Sequence, residues 1–359
     1  MASQPPPPDK PPESIILSEF DGLRNNINEE RLTGKDLARA LNIEIDDVGQ
    51  IRRRRGYSRK LPGRWHSVET VGGRSFGVCN GTLGQLNAGY QFVPLTTVGD
   101  DPLSYVDVGD TTYFSSRSAS GQIVGMVVSP WCARGDQPQI ISPVINPDEF
   151  LGPVGGKMLQ SPPLFTDIEH YKGRIYGAAG RYLWGTELYL YDYVDLNRNF
   201  IPFEAEITAV GSTTDGLYVG TTKQLMFLEG TLSEGFKITE IASSPVLRGS
   251  MITLPNSKVH PQAMDQPVAD GDALLIMTQV GICAATPGGN IYNLTQDRMV
   301  FPAAAQAATM WREDQGINSY VAVLDSGGTP SANARIGDFA DAQVIRPVRK
   351  DHDHGFQDD

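Results

Sequence analysis

The sequence predicts an all-β protein, a β-propeller of about six degenerate blades within a range of five to seven, and three observations carry that prediction. The first is a glycine-led strand pair that recurs with variation. It runs from Gly73 to Cys79 and from Gly173 to Trp184, and returns around Gly109, Gly216 and Gly271. Each copy places a turn glycine before a short apolar or aromatic run, then a polar gap and a second short run such as Leu225 to Leu228 or Val280 to Cys283, which is a repeated hairpin. The second is composition: 38 glycines, 25 prolines and only 20% charged residues, with no long stretch that keeps a helical apolar period, suit short strands joined by tight turns. The third is spacing. The glycine-to-glycine intervals run from 36 residues (Gly73 to Gly109) to 64 (Gly109 to Gly173), and those near 40 match one four-stranded blade.

Residues 1 to 14 hold six prolines and almost nothing apolar, which predicts an extended polyproline arm. It reads either as a disordered tail or as an arm docked on a neighbouring subunit, because a preformed extended segment loses less entropy on docking. From Ile27 to Leu41, Asn28 or Thr33 as caps ahead of Leu37, Ala38 and Leu41 predict one or two short helical turns. Ile43 to Ile45 and Gln50 to Arg52 flank Asp46 to Gly49 as a hairpin whose Gly49 suits a left-handed position.

The glycine-led pairs follow, interrupted by Pro130, Pro138, Pro143, Pro147, Pro153, Pro162 and Pro163. Their missing amide donors disfavour a central strand, so residues 130 to 163 are expected to project as a long loop. Glu206 to Val210 and Phe236 to Ile241 read as outer strands, and a weaker pair lies around Ser319 to Leu324 after Gly316. A final strand at Ala342 to Pro347 is expected to close the ring against the strand pair near Ile43. Residues 15 to 347 then form one propeller domain, and 348 to 359 a polar, frayed tail.

The formal charge of -12 argues against general adhesion to nucleic acid or an anionic membrane. Cys79, Cys132 and Cys283 sit in or near apolar strands without a CxxC partner, so buried free thiols in a reducing compartment are expected. The start has no basic region followed by an apolar core, and no later run approaches the roughly 18 apolar residues that span a bilayer. Neither a secretory signal nor membrane insertion is expected.

Asp195, Asn197 and Asn199 place oxygens at alternate positions, with Glu206 at the twelfth, as in a calcium loop. Phe200 stands where such a loop requires glycine, and the same oxygens make ordinary turns. His352 and His354 lie at a flexible end, His66, His170 and His260 have no catalytic spacing, and Arg134-Gly-Asp136 has no secretory context. No GxSxG elbow, P-loop, GxGxxG strand-to-helix turn or HExxH is present. No catalytic residue, cofactor or metal is therefore assigned, although dispersed carboxylates like those of propeller glycosidases leave no local spacing to see. The densest charge cluster is Arg52, Arg53, Arg54, Arg55, Arg59 and Lys60, followed by Arg64. It reads as a phosphate or subunit contact, or as a solvated strand face paired with this acidic protein's carboxylates; in a strand, alternate arginines point to opposite faces.

Gly22 to Asn25, Glu30-Arg31, Asp36-Leu37, Ala40, Asn42, Ile45-Asp46, Gly49, Ile51, Arg54 and Gly56-Tyr57 resemble the opening of the tail hub, nozzle or packaged-DNA stabilisation proteins of short-tailed bacteriophages. The match covers roughly residues 20 to 60; some members of that family are much larger, and the proline-rich start is not part of its pattern. The resemblance implies a structural, non-enzymatic virion protein, assembled in the bacterial host cytoplasm, whose propellers form a ring of six below the portal and adaptor. Such a ring would contact portal-side proteins and tail fibres or spikes, extend the DNA channel, and retain and release the genome without binding it specifically. The arginine cluster would then face an acidic subunit interface. The alternative is a phage-associated propeller that binds or cleaves host-surface glycan.

Overall fold

The computed structural model describes residues 19–40, 43–45, 49–54, 58–133, 159–259, 271–295, 298–299, 301, 304–314, 317–325 and 343–345. The proline-rich arm, the middle of the 130–163 segment, the polar tail, Arg55, His260, His352, His354 and the Arg134-Gly-Asp136 tripeptide lie outside them. The chain divides into two compact units, one of residues 1–56 with 297–300 and one of residues 57–296 with 301–359.

The larger unit is a β-propeller. Besides one two-stranded pair, its described residues form six small antiparallel sheets in chain order. Blade 1 comprises Trp65–Val71, Arg74–Cys79, Thr82–Leu86 and Phe92–Thr97, and blade 2 Ser104–Val108, Thr111–Ser115, Ser120–Val124 and Val127–Ser129. Blade 3 has Asp167–Tyr171, Arg174–Ala179, Tyr182–Gly185 and Phe200–Pro202; blade 4 has Ile207–Ser212, Gly216–Thr221, Leu225–Thr231 and Gly235–Ala242. Blade 5 is Ile252–Pro255, Asp272–Thr278, Gly281–Thr286 and Asn290–Asn293, and blade 6 is Gln306–Asp314, Ile317–Asp325 and Gln343–Ile345. First strands of successive blades touch one another, so the first strand is the innermost and the strands radiate outward in order.

The glycine-led pairs are the second and third strands of each blade. Gly73 and Gly173 occupy the turns before them with φ of +74° and +76°, a conformation that side chains with a Cβ rarely adopt. Behind these turns the strands are buried on both faces, as in Gly216–Thr221, and read as continuous apolar runs.

The core lies between blades. Phe76, Leu83, Tyr105 and Phe114 pack blade 1 on blade 2, and Val106, Tyr113, Ile168 and Ile175 pack blade 2 on blade 3. Tyr176 and Leu183 meet Ile207 and Leu217 at the next junction, and Tyr218 and Phe227 meet Leu274 and Ile276 at the one after.

Several sequence expectations are corrected. Ile207–Ser212 is an innermost strand, because it follows the crossover from blade 3, whereas Gly235–Ala242 is an outer strand as expected. Gln343–Ile345 pairs with Tyr320 to Ala322 inside blade 6, and Ile43–Ile45 pairs with Ile51–Arg53; the final strand therefore completes its own blade and not the pair near Ile43. Between Ile27 and Leu41 one short helical turn forms as expected, the 3-10 turn Glu29–Arg31 with Asn28 at its N-cap; Leu37 instead lies in the short strand Asp36–Leu37, because the Asp36 carboxylate accepts bonds from the Thr33 amide and hydroxyl in a turn that competes with helix.

The ends of the proline-rich segment are anchored. Trp131 is buried against Tyr113 and Phe165 with its indole N–H on Tyr191 O at 2.8 Å, Ala133 N–H donates to Ser161 Oγ, and Leu159–Gln160 pairs with Val194–Asp195.

Candidate functional site

Several of the described residues that carry the resemblance pair with one another in the smaller unit. Gly22–Leu23 runs parallel to Asp36–Leu37, and Phe20 N–H donates to Gly49 O at 2.9 Å. Gly49 is left-handed at φ +80°, and a Cβ there would stand 3.1 Å from the Phe20 backbone nitrogen, so the turn and the close approach both require glycine. The Asp36 side chain, 2% exposed, lies 3.6 Å from Arg24 and 3.7 Å from Arg298, which also reaches Asp21. Burial alone would raise the Asp36 carboxyl, but the bonds from Thr33 and the guanidinium groups of Arg298 and Arg24 outweigh it and hold the group below its usual range.

Its stabilising contribution is therefore present above the ordinary carboxylate pKa and is lost only as pH falls through the lowered one. Asp36→Asn preserves the shape and removes the charge opposite two arginines. It is expected to weaken this unit by about 1–2 kcal/mol, seen as faster hydrogen exchange at the Arg24 and Asn25 amides; unchanged exchange would contradict the pairing.

The arginine cluster is divided between the units. Arg52 pairs across its hairpin with the buried Glu44 at 3.2 Å, Arg53 is exposed and Arg54 half-buried. Arg59, in the larger unit, turns back onto the carbonyls of Leu61 and Gly63, and Lys60 is exposed. The hairpin thus ties one arginine to its own carboxylate and presents Arg53 outward.

The innermost strands bring together carboxylates far apart in sequence. Asp167, first residue of blade 3, accepts bonds from Ser104 Oγ of blade 2 at 2.7 Å, from Val210 N–H of blade 4 at 2.7 Å and from Ile168 N–H at 3.1 Å. It stitches three blades. Glu169 accepts from Ser212 Oγ of blade 4 at 3.0 Å. Burial pushes the Glu169 carboxyl up to about 8, reinforced by the charges of Asp167 and Glu69 and opposed by Ser212.

Burial likewise lifts Asp167 to about 6 against its hydrogen bonds. Glu69 of blade 1 is lifted to about 7 by desolvation and by Asp167; its side chain is open to solvent yet ringed by protein. The imidazoles of His66 and His170, on the same two innermost strands, are lowered by burial. Burial and mutual repulsion thus favour the neutral, hydrogen-bond-donating form of these carboxyls.

Where the turns between second and third strands lie, Glu206 Oε1 accepts from Arg117 of blade 2 at 3.1 Å and from Arg248, which leads into blade 5, at 2.9 Å. Glu206 is therefore no calcium ligand. Asp195 accepts from its own turn at Asn197 N–H, and Asn199 donates to Glu187. Among the described residues no group of three or more His, Cys, Asp or Glu side chains is placed to hold a metal. Cys79, Cys132 and Cys283 are free thiols, Cys283 buried and pushed up to about 11 by desolvation.

Glu69, Asp167 and Glu169 form no local motif in the sequence, because a site built from several blades has no local spacing. One signal was present: Glu69, Glu169 and Ser212 each stand four residues before the leading glycine of their blade, at Gly73, Gly173 and Gly216.

No family model matches the chain, and no curated protein matches it. Among solved structures, a chain of the S. cerevisiae Dbp5 complex with Nup159, Gle1, IP6 and ADP is similar over 79% of this chain and 78% of that one, with 9% identity and a TM-score of 0.44. The N-terminal domain of Nup159 gives 9% identity over the same shares and a TM-score of 0.42. The extracellular domain of a hybrid two-component system from B. thetaiotaomicron is 12% identical, over 80% of this chain and 33% of that one, with a TM-score of 0.42. Fold assignment rests on the blade order and register.

Proposed function

We propose that this chain is a structural subunit of the tail nozzle of a short-tailed bacteriophage, assembled as a ring of six that extends the DNA channel below the portal and adaptor. The observation that carries the reading is the pairing of resemblance residues with one another: Gly22–Leu23 beside Asp36–Leu37, and Arg24 on Asp36. These pairings bring positions fourteen residues apart in the chain side by side.

Charge fits the task. A channel wall for DNA must not hold its cargo, because each phosphate neutralised by Lys or Arg adds a contact that has to be broken, and a subunit of charge -12 avoids that. Hydrogen bonds of Asp167 and Glu169 join the innermost strands of blades 2, 3 and 4. On this reading the channel is formed between copies. Portal-side proteins, and fibres or spikes, are the partners such a ring would meet.

The carboxylates of blades 1 and 3 favour a second reading, a propeller that binds or cleaves host-surface glycan, since a carboxylic acid protonated near neutrality is what a glycosidase uses as general acid. Negative-stain microscopy and activity assays separate the two. The nozzle reading expects a ring of six with no release of sugar from host polysaccharide. A stable monomer whose hydrolysis of that polysaccharide is abolished by Glu169→Gln would replace it.

A further inference from the structure

At the turns between third and fourth strands, three consecutive blades present apolar side chains to solvent. Tyr90 of blade 1 is 60% exposed, Val127 of blade 2 is 69% exposed beside Met126, and Tyr189 of blade 3 is 71% exposed beside Leu188. The Tyr189 N–H donates to Gly173 O in the turn between first and second strands of its blade, which sets these tips on one face. The corresponding turns of blades 4 and 5 carry Leu232-Ser233-Glu234, whose leucine packs inward, and Pro287-Gly288-Gly289, so among these described blade tips the exposed large apolar side chains lie on blades 1 to 3.

The two tyrosines share a further property. Tyr90 and Tyr189 are left-handed, at φ +58° and +57°, where bulky residues are rarely found. Hydrogen bonds from the Tyr90 N–H to Asn87 O and from Asn87 Nδ2 to Gln91 fix the first turn. Both rings stay exposed on turns whose left-handed backbone a more permissive residue would fit better, that of Tyr189 lying across Gly173.

We propose that this rim receives the proline-rich segment, residues 1–14, of a second copy of the chain. Exposed aromatic rings are the surface on which polyproline segments dock, because the preformed extended helix loses little entropy on binding. At about 3.1 Å per residue the segment reaches about 40 Å, and packed sheets lie about 10 Å apart, so it is long enough to run along three blade tips. It carries few charges, Asp9 and Glu13 against Lys10, which suits tips that offer apolar contacts. That the donor is another copy rests on the ring proposed above, in which each subunit hands a segment to the next and the contact closes by rotation.

The test uses the full chain. Asparagine tolerates the left-handed conformation, so Tyr90→Asn with Tyr189→Asn is expected to melt at or above the parent temperature. The same double variant is expected to weaken self-association in sedimentation at least tenfold. In a mixture of isotopically light and heavy copies carrying Tyr189→p-benzoylphenylalanine, photocrosslinks are expected between position 189 of one copy and residues 1–14 of the other. Unchanged association of the double variant, crosslinks to other segments, or crosslinks confined to one copy would each overturn the docking. A ring that persists in the double variant defeats only this inference, whereas a parent chain monomeric at all concentrations defeats the ring itself.

Discussion

Glu169→Gln is expected to stabilise the propeller at neutral and alkaline pH and to flatten its pH dependence. The native carboxyl titrates at about 8, well above the ordinary value near 4.3 for an unfolded glutamate. Between those values the folded chain holds a proton that the unfolded chain has released. The proton's stabilising contribution is complete below the unfolded pKa and is lost as pH rises through the folded one, at about 1.4 kcal/mol per pH unit.

At pH 7 the carboxyl therefore costs on the order of 3 kcal/mol relative to a neutral group of the same shape. Glutamine supplies that group and still accepts the bond from Ser212 Oγ through its amide oxygen. The melting temperature of the variant at pH 7 to 8 should rise by several degrees, while at pH 4 the two proteins should converge. A variant less stable than the parent at pH 8 would mean that the ionised carboxylate is the form the fold requires.

Trp131→Ala is the second large effect. The indole is 2% exposed, packs 5.1 Å from Tyr113 and 5.7 Å from Phe165 between ring centres, and donates to Tyr191 O. Truncation removes a large buried surface, opens a cavity between blades 2 and 3, and leaves a buried carbonyl short of a donor. The expected loss is about 3–5 kcal/mol in chemical denaturation, with faster proteolysis at the stem of the proline-rich segment because Ala133 and Ser161 lose their anchor. Trp131→Phe restores most of the packing without the hydrogen bond and should recover more than half of the loss. A small cost for the alanine variant would show that the segment is held elsewhere.

The parts of this fold that were legible in sequence are those written locally. Gly73, Gly109, Gly173, Gly216 and Gly271 mark the start of the second strand because a turn glycine and the apolar run behind it are neighbours in the chain. Gly49 betrayed its hairpin for the same reason. Strand position within a blade was not legible: Ile207–Ser212 was assigned outward because a short apolar strand looks the same at either radius, and only the crossover from blade 3 places it innermost.

Ring closure failed for a related reason. Gln343–Ile345 could pair with any exposed edge, and Tyr320 to Ala322 was the nearer partner in its own blade. Among candidate functional residues, contiguity made the arginine cluster visible, yet Arg52 and Arg59 are occupied by Glu44 and by backbone carbonyls. Glu69, Asp167 and Glu169 come from two blades nearly a hundred residues apart and meet only when the sheets close.

The central proposal, that the chain is a nozzle subunit of a short-tailed phage, is tested most directly by deleting its gene from the genome that carries it. If the gene is deleted and particles are purified, the nozzle reading predicts heads that fill with DNA and then lose it, and that retain it when the purified protein is added back. Particles that lack the protein and stay full would contradict it.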